Sequence, residues 1–488
     1  MIGIIMKVPI QPVLAASGTI TATALADLLG HWSAPEGPLY RLLAARLARL
    51  ADTGALTAGL RLPAERDLAA RLSVSRNTVA MAYQALREEG MAESRQGSGT
   101  RIVPHRTTPA ATHRANGFFT SLLESSAVRA DLTLALAECA PQVAAAITEP
   151  STVLSRGELR AITGTHGYHP LGLPELRAAI AWMLASRHAL PTAAEEVIVT
   201  TGGQQAIDLL VRAEVAPGSA AIVEEPTFAG VIDILHRAGA RLVGMAPGDA
   251  DQLDHLLRTH APALAYLIPT HHNPVGCVMA EDDRRRVVKY AEQNPDTTVV
   301  DDVTLSELAL DDGQRPAPLA AFAPRQANIV TVGSLSKSYW GGLRTGWVRA
   351  PAGIIARLGA AKAAADLGSP VLGQAVAAAL IREQHDDIIG WRQDWLRPRY
   401  EALTSALTEH LPSWRWPRPD GGPALWVQIP CDEGAFTRAA LRAGVAVLPG
   451  RLVTIGTRPT RHLRLAFTAA PAVLTNAVAT LATVPGSY

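Results

Sequence analysis

Cysteine is scarce: Cys139, Cys277 and Cys431 are the three in 488 residues. They lie far apart and match neither a disulfide framework nor a metal-ligand spacing, so thiols in a reducing compartment and no metal site are expected. Long apolar runs are lacking too. The Ala-rich stretch 371–381 is far too short to span a bilayer, and residues 1–9 lack the cleavage site of a secretion signal. A cytoplasmic protein without membrane contact is therefore expected. Neither sign of charge is in excess: 45 basic and 44 acidic residues give a net charge of +1, which excludes polyanion binding by bulk charge. With 48% hydrophobic and 18% charged residues the chain reads as globular, and its length suits two or three domains.

The charge is unevenly placed. Residues 36–106 hold 11 Arg, no Lys and 7 acidic residues, a local net of +4, so the remainder carries −3. Within this basic module Leu39, Leu42, Leu43, Leu47 and Leu50 recur at helical spacing up to Gly54, after a short helical pattern at 22–29. A short helix entered through Pro63 covers residues 64–72, a tight break falls at 73–75, and a longer helix runs over 76–89 to Gly90. Two helices with such a break form a helix-turn-helix, whose second member offers its first residues to the major groove. Here those residues are Ser75, Arg76, Asn77 and Thr78, all able to reach base edges or phosphates. Residues 91–103 then read as a β-hairpin with Gly97 and Gly99 at its tip, where backbone can approach DNA closely.

Residues 105–130 mix Pro, Thr, His, Arg and Ser without periodicity and read as a linker with one short helix near 118–124. From residue 131 onward short apolar runs alternate with helical patterns, as βα units require. Strands are expected at 196–200, 220–223, 241–243, 264–268, 298–300, 329–332 and 346–349, forming a mostly parallel sheet covered on both faces. A smaller C-terminal α/β unit follows, with strands near 424–429 and 462–467. The domains are therefore 36–104, a linker over 105–130, and 131–488.

Polar residues fall where these strands end, which is where α/β proteins bind ligands. Gly203 and Gln204 open a helix after the first strand, leaving backbone N–H groups for a phosphate. Phe228 follows the second strand and can stack on a ring. Asn273 can donate to a phenolic oxygen. Asp301 and Asp302 end a Val-rich strand, and a buried carboxylate there needs a cationic partner such as a pyridinium nitrogen. Neighbouring strand residues face opposite ways, so either carboxylate is a candidate, with Asp302 preferred. The stretch 333–347 holds Ser334, Ser336, Lys337 and Arg344 among glycines and aromatics. Its hydroxyls and its Arg can hold a phosphate, and its Lys can form a Schiff base with an aldehyde cofactor, most plausibly pyridoxal 5′-phosphate.

Two family resemblances rest on these residues. Leu62-Pro63-Ala64-Glu65-Arg66-Asp67-Leu68-Ala69, Val74-Ser75-Arg76-Asn77-Thr78-Val79 and Gly97-Ser98-Gly99-Thr100 resemble the winged helix-turn-helix of the GntR family. That resemblance implies Arg66, Arg76, Thr78 and Gly97 as operator contacts. The ordered series from Gly203 to Arg344 resembles fold-type I pyridoxal-phosphate aminotransferases over about residues 131–488. It implies Lys337 as the Schiff-base lysine, Asp302 on the pyridinium nitrogen, Asn273 on the ring oxygen and Phe228 stacking. Gly203, Gln204, Ser334, Ser336 and Arg344 would surround the phosphate. Tyr168, in Gly167-Tyr168-His169-Pro170, matches a tyrosine reaching the neighbouring subunit's cofactor, and Arg464 matches the arginine for a substrate carboxylate. One departure stands out: the family's tyrosine after the pyridinium aspartate is missing, and Thr304 is nearest.

Together the two halves resemble the MocR family of regulators, a mainly α winged helix-turn-helix joined to a large α/β domain of fold type I. The resemblance implies a head-to-tail homodimer that binds double-stranded operator DNA and senses an amino compound, or pyridoxal phosphate itself, at Lys337. The rival reading is an active aminotransferase with an appended DNA-binding domain. A DNA-binding scaffold with a dead cofactor site is disfavoured because Lys337, Asp302 and Arg344 are all in place.

Overall fold

A computed structural model describes residues 19–30, 32, 38–52, 56, 59–88, 92–95, 99–102, 128–311, 313, 316–324, 327–456 and 460–487. The chain divides into two compact units, Met1–Thr112 and His113–Tyr488. The wing glycine Gly97 and the short helix expected near 118–124 lie outside the described residues, as does most of the expected linker.

The N-terminal unit holds helices Ala22–Leu29, Leu39–Asp52, Glu65–Leu72 and Arg76–Glu88. Their leucine faces meet in one core, with Leu25, Leu43, Leu47, Leu68, Val79 and Leu86 fully buried. The break between the last two helices is sharp because Ser73 takes a left-handed conformation (φ 56°) and its N–H returns to the carbonyls of Ala69 and Ala70. Ser75 Oγ then accepts the Thr78 N–H at 3.0 Å, capping the next helix. The buried Tyr83 hydroxyl donates to the Pro63 carbonyl at 3.0 Å and ties that helix to the Pro-led entrance of its neighbour. Strands β1 (Ala92–Arg95) and β2 (Gly99–Ile102) pair antiparallel. β2 also exchanges bonds with residues 60 and 62, which makes the wing a three-stranded patch.

In the large unit, β3 (Ala130–Asp131) leads in. A seven-stranded sheet follows, made of β4 (Val197–Thr200), β5 (Ala220–Glu224), β6 (Arg241–Met245), β7 (Leu264–Leu267), β8 (Thr298–Asp302), β9 (Ile329–Ser334) and β10 (Gly346–Arg349). Their order is β4-β10-β9-β8-β7-β5-β6, and β10 alone runs antiparallel to its neighbours. Side chains alternate between two cores. Val197, Val199, Ile222, Leu267 and Val299 join one, while Ile198, Val223, Tyr266, Val300 and Val348 join the other, so both sheet faces are buried. β8 and β9 run two residues past the expected ends, because backbone pairing continues although the side chains turn polar at Asp301, Asp302 and Ser334.

The C-terminal part has β11 (Ala424–Gln428), β12 (Val445–Ala446), β13 (Leu448–Pro449) and β14 (His462–Ala466), with β11, β14 and β13 forming an antiparallel sheet and β12 pairing parallel with β3. The 40-residue helix Val371–His410 packs against both Pro174–Arg187 and Pro471–Ala482, joining this part to the large sheet. Among the described residues no helix is long and apolar enough to cross a membrane.

β10 begins where the turn after β4 passes, and Gly346 makes that approach possible. A Cβ there would lie 2.5 Å from the Gly202 carbonyl carbon and 2.9 Å from the Gly203 nitrogen. Gly346→Ala should therefore cost about 1–3 kcal/mol by overpacking, read as a lowered denaturation midpoint in urea; an unchanged midpoint would mean that the turn relaxes freely.

Candidate functional site

Because β4, β5, β7, β8 and β9 are parallel, their C-terminal ends share one sheet edge, and a cavity of about 430 Å3 opens there. Gly203, Gln204, Phe228, Asn273, Asp302, Ser334, Ser336, Lys337, Arg344 and Arg464 all line it. Tyr168 does not: it stands at the surface, 61% exposed.

Lys337 lies in the turn after β9, half-buried, and lines the cavity. Its Nζ donates to the Ala135 carbonyl at 2.7 Å. Burial, and then the positive charge of Arg464, bring its pKa down to about 8. Arg464, on β14, is 5% exposed, and burial lowers its pKa to about 10. Its Nη1 donates to the Thr133 carbonyl at 3.5 Å. The two cations are thus held by carbonyls two residues apart on one segment, Thr133 to Ala135, which enters the site just after β3.

The neighbouring carboxylates separate as alternation requires. Asp301 is fully buried away from the cavity, where Oδ2 accepts the Leu319 N–H at 2.6 Å. Burial raises its pKa to about 6 against the nearby Arg284 charge. Asp302 faces the cavity, and burial raises its pKa as well, less opposed by charge than by hydrogen bonds from Thr304 and Tyr266. Asp302 Oδ1 accepts the Thr304 N–H at 2.9 Å, and the Tyr266 hydroxyl donates to Oδ2. Burial and the Asp302 charge push the Tyr266 pKa well up, so this hydroxyl stays a donor.

At the other end of the cavity Gly202 caps helix Gly203–Glu214 with φ 82°, leaving the first N–H groups of the helix unpaired within it. Arg344 sits over this terminus. Its Nη2 donates to the Thr201 carbonyl at 2.7 Å, and a Cβ on Gly202 would lie 3.1 Å from the guanidinium. Ser334 Oγ and Ser336 Oγ are 2.9 Å apart beside it. Free N–H groups, two hydroxyls and an Arg around a glycine cradle fit a phosphate. The buried Gln204 Oε1, which has no hydrogen-bond partner among the described residues, fits a bound polar group. The residues present therefore suit a phosphorylated ring with a cationic nitrogen at Asp302 and a carbonyl carbon at Lys337.

Three parts of the site were not read from the sequence. Tyr266 is the one hydroxyl in an otherwise aliphatic buried strand, a faint signal. The carbonyls of Thr133 and Ala135 carry none, since main chain has no residue signature. Thr304 lines the cavity with its hydroxyl 3.4 Å from the Cβ position of Gly203, at the helix terminus, and Leu305 lines the cavity next to it.

On the N-terminal unit, Arg66, Ser75, Arg76 and Asn77 are exposed on the two helix starts, and Thr78 is half-buried. Arg76 Nε is 3.1 Å from Glu65 Oε2, an exposed pair easily exchanged for a phosphate.

Since the neutral amine is the nucleophile, Lys337 should react with an aldehyde such as pyridoxal phosphate at a rate that rises with pH and levels off above about pH 8. In Arg464→Gln the neighbouring positive charge is gone, and the midpoint should move to higher pH while staying below that of free lysine. Stopped-flow absorbance measures both profiles, and coincident midpoints would contradict the coupling.

Residues 133–481 match the family model described as aminotransferase class I and II, and residues 39–102 match that of bacterial regulatory proteins, gntR family. The chain is similar to the Bacillus subtilis protein named "Uncharacterized HTH-type transcriptional regulator YisV", with 28% identity over 85% of this chain and 89% of the relative. It is also similar to the probable rhizopine catabolism regulatory protein MocR of Rhizobium meliloti, 32% identical over 64% of this chain and 66% of the relative. Among solved structures it resembles LysN, the alpha-aminoadipate aminotransferase of Thermus thermophilus, with a TM-score of 0.66 and 26% identity over 75% of this chain and 93% of LysN. Fold, cavity and both matches agree: the chain belongs to the class I and II aminotransferase family and carries a gntR-family DNA-binding domain in front of it, the architecture of MocR-type transcription regulators.

Proposed function

We propose that this regulator holds pyridoxal 5′-phosphate at Lys337 and uses the loaded cavity to sense an amino compound, while its N-terminal unit binds operator DNA. The observation that carries the reading is the convergence of Lys337, Asp302, Asn273, Arg344 and Arg464 on one cavity in a chain that also bears a DNA-binding domain.

In this reading Asp302, steadied by Tyr266 and Thr304, holds the ring nitrogen, Asn273 donates to the ring oxygen and Phe228 stacks on the ring. Gly203, Gln204, Ser334, Ser336 and Arg344 hold the phosphate. When bound, the cofactor supplies an aldehyde carbon at which one amine can be exchanged for another. Lys337 gives up its place to the incoming amine and takes its proton, which a group with a pKa near 8 can do at neutral pH. Arg464 takes the carboxylate. The exposed Tyr168 suits contact with a second copy in a head-to-tail homodimer. Arg66, Ser75, Arg76, Asn77, Thr78 and Gly97 make the operator contacts.

The lowered Lys337 pKa also favours a second reading, turnover as an aminotransferase. Incubation with paired amino and keto acids separates the two: a sensor answers with a spectral change and no accumulating product.

Lys337→Ala should abolish the cofactor's visible absorbance and its response to amines while leaving basal DNA binding intact. An unchanged spectrum would contradict the site. Arg66→Ala and Asn77→Ala should each weaken operator binding by about 1–3 kcal/mol in a mobility-shift titration without altering that absorbance. Binding unaffected by both would contradict the DNA surface.

A further inference from the structure

The last helix of the N-terminal unit, Arg76–Glu88, turns Val79, Ala82, Tyr83 and Leu86 into the core, where each is buried. Asn77, Met81 and Gln84 lie on the opposite side and are exposed. A helix-turn-helix sets this side of its second helix into the major groove, N-terminal residues first.

Among the described residues of this unit, Met81 and Leu39 are the large apolar side chains left exposed, and Leu39 lies on another helix. A flexible thioether side chain in water gains by meeting an apolar partner of almost any shape. The groove offers few such partners. From Val79 to Tyr83 the helix carries no charge, and the Tyr83 hydroxyl is turned inward to the Pro63 carbonyl. Phosphates are held by cations and by N–H or O–H donors, none of which Met81 supplies. Base edges in the major groove present donors, acceptors and one apolar group, the C5-methyl of thymine.

Asn77 stands one turn earlier on the same face. Its Nδ2 donates weakly to Met81 Sδ at 3.7 Å, so the two side chains form one continuous surface. An Asn amide suits the edge of adenine. The two residues are about 6 Å apart along the helix axis, close to two base steps of about 3.4 Å.

We propose that Met81 is a specificity-determining residue of the operator interface, packing its thioether against the C5-methyl of a thymine about two base pairs from the base that Asn77 reads. The inference rests on the DNA-binding reading above and adds to it the base selected by the second turn of the helix.

Full-length protein enriches its preferred duplex from a randomised double-stranded DNA library. That duplex is then titrated in a mobility-shift assay with each thymine in turn replaced by uracil, which lacks only the methyl. Wild type should bind at least one uracil duplex about fourfold more weakly, the factor that burial of one methyl contributes. Met81→Ala should bind the thymine duplex more weakly by a similar factor and should no longer distinguish it from that uracil duplex. Met81→Ser should lose the same distinction, so the test does not hang on one variant. Binding of both variants to an unrelated duplex at low salt rests on phosphate contacts and should match wild type, which shows the unit folded. Wild type indifferent to uracil at every thymine would overturn the inference, and so would either variant keeping the wild-type sensitivity; both results leave the DNA-binding reading in place. Failure to enrich any duplex would overturn that reading and the inference together.

Discussion

Two positive side chains, Lys337 and Arg464, line one cavity of the large unit, and their charges must be tolerated there. Burial lowers the pKa of both Lys337 and Arg464, and the Arg464 charge lowers that of Lys337 further. Removing a charge from water costs several kcal/mol unless dipoles or counter-charges replace the lost solvent. Here the replacement for both comes from carbonyls of one short segment, Thr133 and Ala135. The main chain thus gives each cation a hydrogen-bond acceptor. Asp302 lines the same cavity, and its two oxygens are already bonded to Thr304 and Tyr266.

The topology explains how distant residues reach this place. Parallel strands deliver Gly203, Phe228, Asn273, Asp302 and Lys337 to the same sheet edge, while antiparallel β10 brings Arg344 to that edge from its N-terminal side. β14 belongs to the C-terminal sheet and contributes Arg464, so the cavity is built from both parts of the large unit. The carbonyl-bearing segment follows β3, which is itself anchored to β12 of the C-terminal part. Along the chain that segment comes directly after the residues that connect to the DNA-binding unit.

Much of this was legible in the sequence, and for stated reasons. Strand positions followed from apolar runs because a sheet buried on both faces leaves no polar side to blur them. The residues around Lys337 could be assembled because each sits just past such a run. Alternation set Asp301 and Asp302 on opposite faces without choosing between them, and in the structure Asp302 is the one that lines the cavity. What stayed hidden was main chain and distance. Nothing in Thr133 or Ala135 announces a carbonyl that accepts from an arginine or a lysine far along the chain. Tyr266 reads as one more core residue until its hydroxyl is placed on Asp302. Thr304 is the residue nearest to the position of the absent tyrosine, and its hydroxyl lies between Asp302 and the helix terminus at Gly203.

The chain has four lysines, Lys7, Lys289, Lys337 and Lys362, so the central claim can be tested at a single residue. The protein is incubated with pyridoxal 5′-phosphate at pH 8, reduced with borohydride and digested, and the peptides are weighed by mass spectrometry. The account predicts one phosphopyridoxyl group per chain, on the peptide containing Lys337. Label spread over the other lysines, or no label at Lys337, would contradict it.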